Sequence, residues 1–235
     1  MMYRLVRTVG GFWLRLFHRL AVVGAENVPA DEAAIIVSNH ASLLDPLVLG
    51  VGSKRRITFV ARGTLTEHWL FRMFIRQVKV VTITRDESDR EALRAIAKEL
   101  AAGQLCCIFP EGTRTLDGRL TELKSGFALL AQKAGVKVVP AYVAGTFHVW
   151  PKGRWVPRLF GPVGVRFGMP IRFDRRMKRS ECTEQVRAAL EGLARGDSEE
   201  IQCGSALGPE GEISDTRGCD PMARTVSVVE MASSK

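Results

Sequence analysis

Between residues 20 and 195 the apolar positions fall into short β-branched or alternating runs separated by helix-spaced ones. Ala33–Val37, Arg56–Val60, Lys79–Arg85, Leu105–Phe109 and Val136–Pro140 read as strands, with Val22–Val28 a short strand and turn. Tyr142–Thr146 and Val163–Phe167 extend the same sheet. Helical spacing appears after Pro46, over Thr66–Ile75, through Leu93, Ile96, Ala97 and Leu100, over Phe127–Lys133 and over Thr183–Leu193. Gly103 and Gly135 stop two of these helices. Strands that alternate with helices predict an α/β fold: a single domain with a mixed, largely parallel sheet flanked by helices.

The two ends break the alternation. On a helical wheel of residues 1–20, Arg4, Arg7, Thr8, Gly11, Arg15, His18 and Arg19 gather on one side. Leu5, Val6, Val9, Phe12, Trp13, Leu16, Phe17 and Leu20 gather on the other. A basic amphipathic helix of this kind suits the plane of an anionic membrane interface, and its arginines are too frequent for it to span a bilayer or act as a signal peptide. An ordinary helix packed on the body is the competing reading. Residues 197–235 are Gly-, Ser- and Glu-rich without periodicity, which predicts a disordered acidic tail. The expected organisation is therefore an interfacial helix over 1–22, one domain over 23–196 and a tail over 197–235. The chain is long enough for such a domain to bury a substantial core.

Charge sharpens this division. The tail holds eight acidic and three basic residues, so the body before it carries +14 of a chain that totals +9. That excess implies an anionic partner: nucleic acid, an anionic membrane surface or a phosphorylated substrate. Nucleic acid is disfavoured, because no zinc-ligand spacing, aromatic RNA-binding signature or helix-turn-helix is found. Five cysteines without a Cys-x-x-Cys pair, two of them adjacent in a strand, predict reduced thiols, a cytoplasmic face and no structural zinc.

Two segments carry candidate chemistry, and both follow strands. In Ser38-Asn39-His40-Ala41-Ser42-Leu43-Leu44-Asp45-Pro46, His40 and Asp45 stand five positions apart. On one regular helix that spacing would splay them about 140° apart, so a compact turn between strand and helix suits the pair better. There Asp45 could fix the tautomer of His40 and stabilise its imidazolium, making His40 a general base for a hydroxyl that need not belong to the protein. Alone, the pair also fits a turn histidine beside an aspartate that N-caps the next helix, with Pro46 at the first helical position. The second segment, Phe109-Pro110-Glu111-Gly112-Thr113-Arg114-Thr115, empties a strand into a polar turn. Gly112 permits close backbone approach, Thr113 and Thr115 offer hydroxyls, and Arg114 suits phosphate, as does Arg85 at the end of another strand.

In order and spacing these blocks resemble the glycerophospholipid acyltransferases, specifically the 1-acylglycerol-3-phosphate (lysophosphatidate) acyltransferases. Asn39, His40, Ser42 and Asp45 match the family's Asn-His-x-Ser-x-x-Asp block, and Ile83-Thr84-Arg85 its second. Phe109–Thr115 match the third, and Val138-Val139-Pro140 the fourth. The resemblance covers roughly residues 20–190 and implies transfer of a fatty acyl group from acyl-CoA or acyl carrier protein to a lysophospholipid hydroxyl, giving phosphatidic acid. It implies no further cofactor and no metal. His40 would be the base and Asp45 its orienter, with no acyl-enzyme. Arg85, Glu111, Gly112, Thr113 and Arg114 would form the acceptor side, Arg85 and Arg114 holding the phosphate and backbone N–H groups near Gly112 serving an oxyanion. Asn39, Ser42 and Pro110 would support the turns. Ala61-Arg62-Gly63-Thr64-Leu65 departs from the Lys-x-Glu-Leu-like sequence of many relatives. Other acceptors therefore stay open, among them a lyso-ornithine lipid, lysophosphatidylethanolamine and glycerol 3-phosphate. A non-catalytic lipid-binding membrane protein is the alternative from a different class.

Overall fold

Wholly buried β2 (Ala34–Ser38) is the axis of a sheet with seven strands among the described residues, because its apolar residues have a core to enter on both faces. Ala34 and Ile36 join one core cluster while Ile35 and Val37 join the other, the period-two alternation of a strand covered on both sides. The computed structural model describes residues 2–62, 80–83 and 89–196. The expected helix over Thr66–Ile75, Arg85 and the acidic tail lie outside the described residues.

The remaining elements follow in chain order. Helix α1 (Met2–His18) precedes β1 (Ala21–Val23), and a short 3-10 turn over Ala25–Asn27 leads to β2. After β2 come α2 (Asp45–Gly52), β3 (Ile57–Arg62), β4 (Val80–Ile83), α3 (Asp89–Ala101) and β5 (Leu105–Ile108). Then follow α4 (Gly126–Ala134), β6 (Lys137–Ala144), the single turn α5 (Thr146–Val149), β7 (Gly164–Phe167) and α6 (Arg179–Arg195). The strand order is β1-β7-β6-β2-β5-β3-β4, and every pairing is parallel except β6 with β7. The sheet is thus mixed and largely parallel, as the alternation of elements predicted.

Two local expectations are corrected. Val136–Pro140 and Tyr142–Thr146 are one strand, β6, and Pro140 lies inside it. The proline is tolerated because of where its missing donor would point. Val138 N–H donates toward Ile171, so the nitrogen two residues on faces the same side, where the β7 ladder begins only at Ala141. Asp45 is the first residue of α2 rather than its N-cap; Leu44 holds the cap position, and the Asp45 carboxylate turns back toward the strand it follows.

Helix α1 meets the body through Gly10, Gly11, Leu14, His18 and the partly buried Trp13, and leaves much of its apolar stripe outside that contact. A side chain at Gly10 would meet Leu47 of α2 and one at Gly11 would meet Val51, while Leu14 and His18 are fully buried. Leu5, Val9, Phe12 and Leu16 face outward, Phe12 at 66% exposure. An ordinary surface helix buries its apolar face, whereas this one buries part of it, at Trp13 and Leu14, and exposes the rest.

Candidate active site

Parallel pairing of β2 with both β5 and β6 brings three strand ends to one edge of the sheet, the edge where open α/β sheets place ligands. The turn after β2 carries Asn39–Asp45, the turn after β5 carries Phe109–Thr115, and Gly145-Thr146 follows β6.

Asn39 carries the ladder on with its side chain. Its amide N–H2 donates to Val143 O at 2.9 Å and its carbonyl oxygen accepts from Val143 N–H at 2.7 Å, so the side chain acts as one more peptide unit against β6. The chain is then released into a tight turn centred on Asp45, which is fully buried. Oδ2 accepts from His40 Nδ1 at 2.9 Å and from the backbone N–H of Ala41 and Ser42, both at 2.7 Å. Oδ1 accepts from the Thr146 hydroxyl at 2.6 Å. A buried carboxylate is costly unless its lone pairs are satisfied, and four donors converge on this one.

Because a carboxylate can only accept, the proton of His40 sits on Nδ1 and the lone pair on Nε2. The ring lies on Phe109, centroids 4.1 Å apart and planes 19° from parallel, and Phe109 in turn stacks toward Phe59. His40 side-chain exposure is 15%, so a fixed imidazole with an available base nitrogen still reaches solvent. An imidazole so held can serve as a general base with its orienting carboxylate.

The nucleophile of a Ser-His-Asp triad is not found among these turns. Ser42 Oγ donates to Trp150 O at 2.7 Å and accepts from Leu44 N–H, and it is fully buried. Thr115, also buried, donates its hydroxyl to Asp117. Cys106 and Cys107 are inside β5, and burial pushes the Cys107 thiol well above its ordinary pKa, away from thiolate.

The 109–115 turn clasps the His40 turn. Glu111 Oε1 accepts the His40 backbone N–H at 2.7 Å, and Thr115 N–H donates to His40 O at 2.9 Å. Glu111 Oε2 is held by Thr121 through both its backbone N–H and its hydroxyl. Both Glu111 oxygens thus serve the protein itself. Gly112 adopts φ 72°, a left-handed conformation that favours glycine, and its N–H donates back to Phe109 O in a tight turn. Pro110 O, on the buried side of that turn, accepts from Lys124 N–H. Thr113 is exposed, its hydroxyl 3.4 Å from Lys152 Nζ. Arg114 is half-buried; desolvation lowers its guanidinium pKa from the ordinary value, and the negative charge of Asp45 opposes that shift. Arg114 therefore shares an electrostatic environment with the His40–Asp45 pair. The candidate site residues within the described part of the chain, Asn39, His40, Ser42, Asp45 and Pro110 to Arg114, all gather around this edge; Arg85 lies outside the described residues. Thr146, Thr121 and Phe109 complete the support through contacts that no local sequence pattern signals.

The acyltransferase family profile matches residues 19–144, which include both turns. The chain belongs to the acyltransferase family. Within the family it is 33% identical over 66% of its length to a chloroplastic 1-acyl-sn-glycerol-3-phosphate acyltransferase of Arabidopsis thaliana, covering 44% of that protein. It is 31% identical over 71% of its length to a 1-acyl-sn-glycerol-3-phosphate acyltransferase of Limnanthes alba, covering 59% of that protein. The crystal structure of the 1-acyl-sn-glycerophosphate acyltransferase PlsC from Thermotoga maritima matches with a TM-score of 0.67 at 29% identity, over 86% of this chain and 80% of that one. The chain spans about half the length of the first curated relatives it matches.

Proposed function

We propose that this acyltransferase transfers a fatty acyl group from acyl-CoA or acyl carrier protein to the free hydroxyl of 1-acylglycerol 3-phosphate, forming phosphatidic acid. The observation that carries the proposal is the His40–Asp45 pair, fixed by the Phe109–Thr115 turn while the neighbouring Ser42 and Thr115 hydroxyls are bonded elsewhere. A base without a protein nucleophile suits direct attack by the acceptor. His40 Nε2 takes the proton of the lysolipid hydroxyl, whose oxygen bonds to the thioester carbonyl carbon. The tetrahedral oxyanion then collapses with cleavage of the carbon–sulfur bond, and the thiolate leaves and is reprotonated. Thiolate is a good leaving group, so the protein's main tasks are positioning and oxyanion stabilisation.

Arg114, with Arg85, binds the acceptor phosphate in this reading. Gly112 and Thr113 give that phosphate close access to the turn, and backbone N–H groups of the turn other than the bonded one of Gly112 stabilise the oxyanion. Glu111 acts as a positioning residue for the backbone of His40. The chain works at an anionic membrane surface on the cytoplasmic side, held there by α1 with its outward apolar stripe. Among the described residues no helix is long and apolar enough to cross a membrane.

The test is thiol release by the purified chain with acyl-CoA or acyl carrier protein and a panel of lyso-acceptors that includes glycerol 3-phosphate. Transfer to 1-acylglycerol 3-phosphate, lost in His40→Ala, is expected. Turnover by His40→Ala near that of the parent would overturn the mechanism, and preference for another acceptor would replace the substrate.

A further inference from the structure

A second group of exposed apolar residues lies beside the site, in the loop from Trp150 to Pro162. Its sequence is WPKGRWVPRLFGP, and it carries Lys152, Arg154 and Arg158. Trp155 is 83% exposed, and Val156, Leu159 and Phe160 are exposed as well. No Asp or Glu occurs anywhere from residue 123 to residue 173.

The loop holds this surface out because its own backbone is pinned. Arg158 N–H donates to Val149 O across the neck, and Trp150 Nε1 donates to Arg154 O within it. Trp150 O accepts from Ser42 of the His40 turn, and Lys152 Nζ reaches Thr113. The far end is sewn to α1: Val163 N–H donates to His18 O, His18 Nδ1–H to Gly161 O, and Phe160 packs on Phe17 with ring centroids 5.9 Å apart. The loop is thus continuous with α1 on one side and with the catalytic turn on the other. A large apolar surface rimmed by charge marks an interaction site.

We infer that the Trp150–Pro162 loop is a second membrane-docking element, seating Trp155, Val156, Leu159 and Phe160 at the headgroup–acyl boundary of an anionic bilayer. It deepens the proposed function by naming the surface that sets the His40 turn against lipid. The occupant follows from the chemistry of the loop. Trp beside Leu, Phe and Arg is the composition of an interfacial segment, with aromatic rings at headgroup level and guanidinium groups on lipid phosphates. A second copy docking by the same face would set Lys152, Arg154 and Arg158 against themselves. An acidic protein partner would use the cations and leave the aliphatic side chains unexplained.

Vesicle flotation of the full chain tests this, using phosphatidylglycerol–phosphatidylcholine vesicles and pure phosphatidylcholine vesicles. Trp155→Ser with Leu159→Ser is expected to reduce partitioning about tenfold or more on both. Arg154→Gln with Arg158→Gln is expected to lose about fivefold per charge on the anionic vesicles and nothing on the neutral ones. Trp155→Phe should float like the parent while losing a measurable share of tryptophan quenching by brominated lipid. Parent-like partitioning of both double variants, or undiminished quenching in Trp155→Phe, would overturn the inference. So would a parent dimer that the loop variants dissociate, or a raised KM for acyl carrier protein with unchanged flotation. Transfer to a short-chain acceptor dispersed as monomers should survive in the variants and shows that they fold. Its absence in the parent would defeat the proposed activity while leaving the flotation result standing.

Discussion

The turn that carries His40 and the rim formed by α1 and the 150–162 loop are built on opposite terms. In the turn, Asp45, Asn39, Ser42 and Glu111 are buried polar groups whose oxygens and nitrogens are matched by protein partners. In the rim, Leu5, Phe12, Leu16, Trp155 and Phe160 are large apolar groups facing outward. The turn completes its interactions internally and so fixes its geometry, as the proposed proton transfer requires. The rim leaves its hydrophobic interactions incomplete, so its stabilisation depends on what it meets. Substitutions in the first region should therefore cost activity and stability, and in the second only attachment.

The sharpest break of this contrast is Asp45→Asn. An amide cannot accept from all four donors, so the variant leaves buried N–H or O–H groups unmatched and permits the wrong tautomer of His40. Turnover should fall by about 10⁴-fold, and urea unfolding should show about 3–5 kcal/mol lost. His40→Ala separates the two effects. It removes the base, lowering turnover roughly 10²–10⁴-fold, yet leaves Asp45 bonded to Ala41, Ser42 and Thr146, so the stability change should be about 1–2 kcal/mol. Equal destabilisation by the two variants would show that the turn is held by the imidazole and not by the carboxylate.

Thr146→Val is the next in size. The methyl replaces a hydroxyl that donates to a buried carboxylate at 2.6 Å, so about 1.5–3 kcal/mol of stability should go. A fall in kcat with KM for the acceptor unchanged would mark Thr146 as a positioning residue for Asp45; a rise in KM alone would move it to the binding surface. Phe12→Ser, by contrast, should leave the unfolding midpoint within about 0.5 kcal/mol of the parent because its side chain is exposed. Flotation with anionic vesicles should nevertheless weaken. A large loss of stability would mean that the apolar stripe of α1 packs on protein.

The different terms also explain what could be read from the chain. The turn is local: His40 and Asp45 are five residues apart, and their chemistry is visible in one segment. The strands around them announce themselves by β-branched runs, and the parallel sheet follows from their alternation with helices. Thr146 is 101 residues from Asp45, and a lone threonine after a glycine carries no sign of such a contact. Glu111 was readable as a polar residue near the substrate, but that both its oxygens would be taken by His40 and Thr121 depends on how two turns meet in space. Pro140 misled because proline reads as a strand end, and only the place where the β7 ladder starts shows why the strand continues. In α1 the amphipathic pattern was plain, but a wheel shows two faces without saying which meets the body. Gly10 and Gly11, weak points for a helix by propensity alone, are what let α1 lie close to α2.

His18 stands where the two regions join, and its predicted effect is the smallest. It is fully buried at the end of α1, and Nδ1–H donates to Gly161 O of the loop. Burial lowers its pKa below the ordinary 6.5, against the opposing pull of that hydrogen bond. The folded chain thus keeps His18 neutral at a pH where the unfolded chain protonates it. Stability should be constant in this respect above about pH 6.5 and decline below it, until the folded-state group also takes its proton. His148, lowered by burial and then by Arg158, adds in the same direction. Glu32 and Asp117, held below their ordinary values by hydrogen bonds to Lys137 and to Arg119 and Thr115, act only at lower pH, near the range of free carboxylates. Urea unfolding at pH 7.5 and 5.5 should therefore show the parent weaker at 5.5, with a smaller difference in His18→Asn, whose amide can still donate to Gly161 O. An undiminished difference in that variant would assign the acid sensitivity to His148. A reduced one would assign part of the acid sensitivity to His18, at the seam between helix and loop.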